Sequence, residues 1–346
     1  MIKGKSKVEC FGEVDKYFLL GGGALLIYTL RRLKEFGIMT IVVTSARHAQ
    51  EVISVDMEKD TLLGWLDREG VYYKITEDVS TDCEVLNSIS DKSLGLSFGA
   101  AWIFKKDFIN RFNGKLLNIH GSQLPKDRGG GDFSWRIMVG DKIGVSLIHK
   151  IDHGVDTGDI VFHKKYTFPE GFRVSKEYQK YSISKDRKLL DIFFDKVNKL
   201  ESFELSTQEE RLSSYWPRLS TERHGFLDWR WSLLDIERFV CAFDDPYMGA
   251  STFINGCKVR LKECYSLVHN NAFHPFQKGI VYRKYDSSFF VATEDGSIVF
   301  KKVLDDHDND MSEKIQVGDR FYTPQNFIEE SMQYRAIYSP TGLKDS

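Results

Sequence analysis

Short apolar runs alternate with longer polar, helix-compatible stretches through the first half of the chain. Lys16 to Leu20 runs into Gly21-Gly22-Gly23, Ala24 to Phe36 carries apolar residues at helical spacing and stops at Gly37, and Met39 to Thr44 is a second apolar run. Strand, glycine turn, helix and strand in that order predict the opening of a doubly wound, mostly parallel sheet of the Rossmann-like α/β kind. The pattern repeats with strands at Val71 to Thr76, Leu94 to Phe98 and Leu116 to His120. Val145 to Ile151 and Ile160 to Phe168 follow with only a turn between them, which predicts an antiparallel pair, and a helix that includes Lys188 to Leu200 closes the unit. The triple glycine lacks full GxGxxG spacing and a placed acidic partner, so no dinucleotide site is expected there.

The pattern then changes. A polar stretch, Glu201 to Ser214, leads to a Pro-, Arg- and Gly-containing segment and a helix near Leu233 to Phe243. Strand-like runs follow at Gly249 to Ile254, Lys258 to Tyr265, Gly279 to Tyr282, Ser288 to Thr293 and Ser297 to Val303. Several short strands with turn signals predict a small, OB-like barrel. The expected organisation is therefore a first domain over 1–203, a linker over 204–214 and a β-rich second domain over 215–346.

Composition narrows the class. With 42% hydrophobic and 28% charged residues the chain is an ordinary globular one, and 48 basic against 50 acidic residues leave it a formal charge of -2. A molecule held to nucleic acid by its phosphates would carry a broad basic field, and this one does not. Five scattered cysteines without a CxxC pair suggest free thiols in a reducing compartment. Without a signal-like N-terminus or a long apolar run, a cytoplasmic location is expected. No His/Cys cluster has zinc spacing, so no metal is expected, and His149 and His153 are assigned a structural or surface role.

The chemistry is concentrated in two stretches. Asn118 and His120 lie two apart at the end of a predicted strand, so an extended backbone points both to one side. Gly154, Thr157 and Gly158 mark a sharp turn that can return Asp156 toward them. An amide donor and an imidazole aimed at one carbonyl oxygen would hold a tetrahedral oxyanion, while a carboxylate orients the imidazole. Either half alone is weak, because a lone His at a strand end is more often structural and Asp-Thr-Gly is a common turn.

Taken together, these stretches resemble the 10-formyltetrahydrofolate-dependent formyltransferases. The likeness rests on Asn118-Ile119-His120-Gly121-Ser122-Gln123-Leu124-Pro125, on Arg128-Gly129, Trp135 and Gly140-Asp141, and on Asp152 to Ile160. Further on, Tyr215 to Leu219, Gly225 to Trp229, Ile236 to Arg238 and Ala242-Phe243 resemble the C-terminal domain of the tRNA enzyme and of some sugar enzymes in that family. The resemblance implies Asn118, His120 and Asp156 as the catalytic trio. It also implies a folate loop at Phe98, Gly99, Ala101, Trp102 and Ile103, with Asp152 nearby, although these aromatics are equally spaced for core packing. Which of His120 and Asp156 takes the proton first is left open.

The acceptor is expected to be the amine of a dTDP-, UDP- or GDP-linked amino sugar, of the kind formylated for bacterial surface polysaccharide such as the O-antigen of lipopolysaccharide. Two departures from the tRNA enzyme favour this. Ser45 to Asp60 carries Arg47 and Lys59 against Glu51, Asp56, Glu58 and Asp60 where that enzyme has a basic loop. The loop after Pro125 reads Gly130-Gly131-Asp132-Phe133, which makes Ser122, Lys126, Gly130 and Asp132 the candidate acceptor residues, with a flexible loop capped by Asp132 as an equal alternative. Methionyl-tRNA formyltransferase is the runner-up, and a folate-binding module without catalysis the reading from another class. The resemblance also implies pairing into a homodimer through the C-terminal region.

Overall fold

The computed structural model describes residues 7–55, 57–130, 133–268 and 273–344. Seven strands form the main sheet: β1 (Lys16–Gly21), β2 (Met39–Thr44), β3 (Tyr73–Ile75), β4 (Ser93–Phe98), β5 (Leu116–His120), β6 (Ile143–Lys150) and β7 (Ile160–Thr167). Their order is β7-β6-β5-β4-β1-β2-β3. The five from β5 to β3 are parallel, and β6 runs antiparallel to both β5 and β7, as the close spacing of the last two runs predicts.

Apolar residues cover both faces of this sheet. On one side Leu26, Ile27, Leu30 and Leu33 of helix α1 (Ala24–Glu35) and Leu189, Leu190, Phe193, Phe194 and Val197 from the C-terminal half of helix α3 (Ser175–Asn198) join the core. On the other, Phe108, Ile109 and Phe112 pack with Phe18, Leu20 and Val43. Fully burying a side chain of this size contributes about 1.5–3 kcal/mol, so the helical stripes hold the sheet from both sides. Between α1 and α3 in sequence lies a shorter helix, α2 (Phe133–Val139).

The second half begins with helix α4 (Leu233–Phe243), whose N-cap Ser232 accepts from the Asp235 amide at 3.2 Å. Six antiparallel strands follow: β8 (Ala250–Ile254), β9 (Cys257–Val268), β10 (Val281–Tyr285), β11 (Ser288–Ala292), β12 (Gly296–Leu304) and β13 (Phe321–Tyr322), in the order β10-β11-β12-β9-β8-β13. A bridge between Ile280 and Arg320 brings the two edges together, so the sheet curls toward a barrel. Its core is continuous with the first half, because Ile137, Phe168 and Tyr178 pack in one cluster with Leu233, Val240, Phe243 and Phe300.

The 204–214 segment, expected to be a plain linker, is held along much of its length. Ser206 pairs with Ile160, Arg128 reaches Gln208 at 3.0 Å and Glu210 at 2.9 Å, and Tyr215–Trp216 adds a parallel pairing to Arg128–Gly129. A short hairpin, Val52–Val55 with Glu58–Thr61, was not evident from the hydrophobic pattern. Arg68 engages its Glu58 and Asp60, so part of its acidity is internally neutralised.

Candidate active site

The carboxyl ends of β1, β4 and β5 lie at one edge of the sheet, where Gly21 pairs with Phe98 and Ser97 with Asn118. Open α/β sheets present their reactive groups at this edge. Asn118 and His120 project from the last turn of pleat in β5. In β6, His149 lies directly across from Asn118 and Leu147 from His120.

Asp156 reaches the same point from the loop between β6 and β7. Its own φ is 55°, and Gly158 follows, where a side chain would collide with the Lys150 carbonyl. The Asp152 carboxylate caps the turn by accepting from the Gly154 amide and the Thr157 hydroxyl. Gln208 closes it from the side, donating to the carbonyls of Asp156 at 2.8 Å and Gly158 at 2.7 Å.

The result is a compact cluster. His120 Nε2 stands 3.9 Å from Asp156 Oδ2, and the Gly129 amide donates to that same oxygen at 2.9 Å. His149 Nε2 is 3.5 Å from Asp156 Oδ1 and 3.1 Å from Asn118 Nδ2, while its Nδ1 faces the Lys150 carbonyl at 2.8 Å. Nδ1 therefore carries a proton, and a neutral His149 ring accepts from the Asn118 amide whereas a protonated one donates to Asp156. His149 is 2% exposed and part of this cluster, so a surface role is corrected, and the structural role expected of it is played beside Asn118 and Asp156. The antiparallel register opposite Asn118 was the signal that could have found it. His153, by contrast, is exposed at the rim.

Burial pushes the His120 imidazole below its ordinary range, against the opposing pull of the Asp156 charge and a hydrogen bond to the Asp127 backbone. Its Nε2 is buried without a hydrogen-bond partner. Burial would raise the Asp156 carboxyl, but hydrogen bonding from His149, the neighbouring His120 and the Gly129 amide outweigh it and hold the group well below the carboxylate range. The arrangement at neutral pH is thus a neutral imidazole beside a carboxylate. Ligand atoms of His120, His149 and Asp156 all lie within 4.8 Å of one another, so this is also the group that could hold a metal ion among the described residues.

Two cavities meet at His120. The first, about 300 Å³, is lined by Trp102, Ile103, Phe104, Ile151 and the 152–157 turn above Asn118, His120 and Asp156. Of the loop singled out in the sequence, Gly99, Trp102, Ile103 and Asp152 line it, whereas Phe98 is packed in the core beneath and Ala101 is not on the wall. Trp102 is itself anchored, donating from Nε1 to the Glu77 carbonyl at 2.9 Å. The second cavity, about 560 Å³, extends from His120 past Ser122, Gly130 and Arg136 to α3, and is walled on the far side by Tyr215, Arg218, Ala336 and Tyr338. Ser122 and Gly130 are on its wall, Lys126 is exposed away from it, and Asp132 lies outside the described residues.

Residues 76–182 match the formyl transferase family, and residues 220–314 match the formyl transferase C-terminal domain. Together these stretches cover more than half of the chain, and the first contains Asn118, His120 and Asp156. The chain belongs to the formyl transferases. This formyl transferase is 28% identical over 239 residues to the methionyl-tRNA formyltransferase of Ruminiclostridium cellulolyticum, covering 68% of the chain and 73% of that relative. In fold it is similar to WlaRD, a sugar 3N-formyl transferase crystallised in the presence of dTDP and 5-N-formyl-THF, with TM-score 0.62, 16% identity and coverage of 84% and 98%. The N-formyltransferase of Helicobacter canadensis, in complex with folinic acid and dTDP-3-aminofucose, gives TM-score 0.62 and 16% identity over 83% of the chain and 98% of that structure. The likeness extends over the parallel sheet and the curled antiparallel sheet alike, and formyl transfer is the enzyme's chemistry. No helix among the described residues is long and apolar enough to cross a membrane.

Proposed function

We propose that this formyl transferase carries the formyl group of 10-formyltetrahydrofolate to the amine of a nucleotide-linked amino sugar, with Asn118, His120 and Asp156 as catalytic residues. The observation that carries the reading is the meeting of two cavities at His120, one for a donor and one for an acceptor. The donor side suits a folate: it offers an aromatic and aliphatic slot, polar turn backbone and, at its floor, a buried imidazole nitrogen with no protein partner. When bound, the folate supplies an activated formyl group.

The chain's own residues then divide the work. The Asn118 amide stands 3.1 Å from His149 Nε2, which helps fix its orientation on the cavity floor, and an N–H directed into the cavity stabilises negative charge developing on the formyl oxygen. Neutral His120, with Nε2 unprotonated and unpartnered, is the stronger base of the pair and takes the proton of the attacking amine. Asp156 stays ionised, stabilises the imidazolium at 3.9 Å and so prepares His120 to return the proton to the departing nitrogen.

Support for a nucleotide sugar comes from the acceptor side. Its volume admits a ligand of that size, and Arg218, which stacks on Tyr338 at 4.5 Å and forms no ion pair among the described residues, offers a cation for a diphosphate. The dTDP-sugar named with the Helicobacter canadensis relative agrees with this choice. The methionyl-tRNA enzymes among the sequence relatives favour a second acceptor, initiator methionyl-tRNA. Incubating the protein and 10-formyltetrahydrofolate with dTDP-, UDP- and GDP-linked amino sugars beside initiator methionyl-tRNA tests both. Formylation of a nucleotide sugar is expected, and formylation of the tRNA alone overturns the choice.

A further inference from the structure

The acceptor cavity has a polar wall that formyl transfer itself does not use. Helix α3 presents Gln179, Ser182, Ile183 and Asp186 to it, a spacing that keeps all four on one face of the helix. At 1.5 Å per residue the row from Gln179 to Asp186 runs about 10 Å, the scale of a sugar ring with its first linked group.

Asp186 stands out in this row. It is 9% exposed, and its Oδ1 has no hydrogen-bond partner. Burial pushes its carboxyl up to about 7, countered only by the nearby hydroxyls of Ser146 and Ser182. The Ser182 hydroxyl is already engaged with Tyr166 Oη at 2.8 Å. Arg136, the buried cation on the same cavity, is committed to the Ile143 carbonyl and to Asp141, so it does not pair with Asp186. A carboxyl buried without a cation and with an oxygen unpaired is destabilising, and a leucine would be tolerated better on grounds of folding alone. A group of this kind on a cavity wall points to a ligand that completes it.

We infer that Asp186, backed by Ser182 and Gln179, forms a subsite that binds a hydroxyl of the acceptor's sugar ring and selects among amino sugars by its position. The inference rests on the acceptor proposed above. The sugar hydroxyl donates to the part of the Asp186 carboxyl that lines the cavity, while Oδ1 itself is sealed from solvent. With the amine at His120 and the diphosphate toward Arg218, the ring lies against α3.

The test compares wild type, Asp186→Asn and Asp186→Leu, using 10-formyltetrahydrofolate and dTDP-3-aminofucose together with the other nucleotide amino sugars of the panel. For whichever sugar is formylated, Asp186→Leu should raise the sugar KM roughly tenfold or more, leave the folate KM unchanged and melt no lower than wild type. Asp186→Asn should fall between, since its amide oxygen still accepts. An unchanged sugar KM in both variants overturns the subsite. So does a fall in melting temperature with both KM values raised, which marks a structural role. Refusal of every nucleotide sugar by wild type overturns the acceptor reading and the subsite with it, whereas a sugar that is formylated with a KM indifferent to position 186 removes the subsite alone.

Discussion

The Gln208 amide donates to the backbone carbonyl of Asp156 at 2.8 Å, so the segment that joins the two halves of the chain also sets the height of the loop bearing the carboxylate proposed to act in catalysis. Arg128 fixes Gln208 in turn through its Oε1. Gly129, one residue on, donates to Asp156 Oδ2. The joining segment is therefore part of the scaffold of the candidate site. Gln208→Ala should lower kcat roughly tenfold or more through misplacement of Asp156, with little change in either KM, because small displacements of a reacting group are costly. Steady-state kinetics with both substrates varied check this, and a kcat equal to wild type removes Gln208 from the scaffold.

Asn118→Ala should reduce turnover by roughly a hundred- to a thousandfold, the usual effect of deleting one oxyanion donor. His149→Ala should act in the same direction but more weakly, by roughly tenfold, since it leaves the amide in place and removes only its orienting partner. Single-turnover rates with saturating donor separate these effects from product release.

The acid limb of the profile of kcat/KM against pH should lie below the ordinary histidine value of about 6.5, because burial disfavours protonated His120. The Asp156 charge pulls in the opposite sense, so in Asp156→Asn the limb of the residual activity should move lower still. A limb that moves upward in that variant would contradict the pairing at 3.9 Å.

Stability should carry the signature of Asp186. Its carboxyl is raised from 3.8 to about 7 in the folded protein, so between these values the folded chain holds a proton that the unfolded chain releases. Unfolding is then favoured as pH rises through this window. Relative to Asp186→Asn, which cannot titrate there, wild type should lose melting temperature on going from about pH 4.5 to about pH 7.5. Parallel melting curves for the two proteins would dismiss the shift.

Dialysis against EDTA should leave formyl transfer unchanged, because each step assigned above is performed by an amide, an imidazole or a carboxylate. Added Zn²⁺ should inhibit, since His120, His149 and Asp156 converge within 4.8 Å and a bound ion would occupy the base. Loss of activity on chelation, restored by one metal, would reverse this assignment.

Much of this was legible in the residues. Period and punctuation located all seven strands of the main sheet, and the Leu233–Phe243 helix appears with its expected bounds. The convergence of Asn118, His120 and Asp156 could be read in advance because strand alternation and turn glycines are local signals. His149 escaped because its role depends on which residue stands across from it in β5, a matter of register between strands. Gln208 escaped for a similar reason: polar stretches advertise solvent, and nothing local says that an amide there will find two carbonyls of a distant loop. The row on α3 was hidden because Ser182 and Asp186 interrupt an apolar stripe and read simply as polar positions of a long helix.

The two cavities differ in who builds them. The walls of the first cavity come wholly from positions 97–157, whereas the second borrows Tyr215, Arg218, Ala336 and Tyr338 from beyond the joining segment. On the proposed assignment of donor and acceptor, chemistry and choice of partner are inherited from different stretches of sequence. Substitutions in the second half would then retarget the enzyme to a new amine while the transfer machinery stays as it is, a division of labour on which a lineage can diversify without first surrendering its reaction.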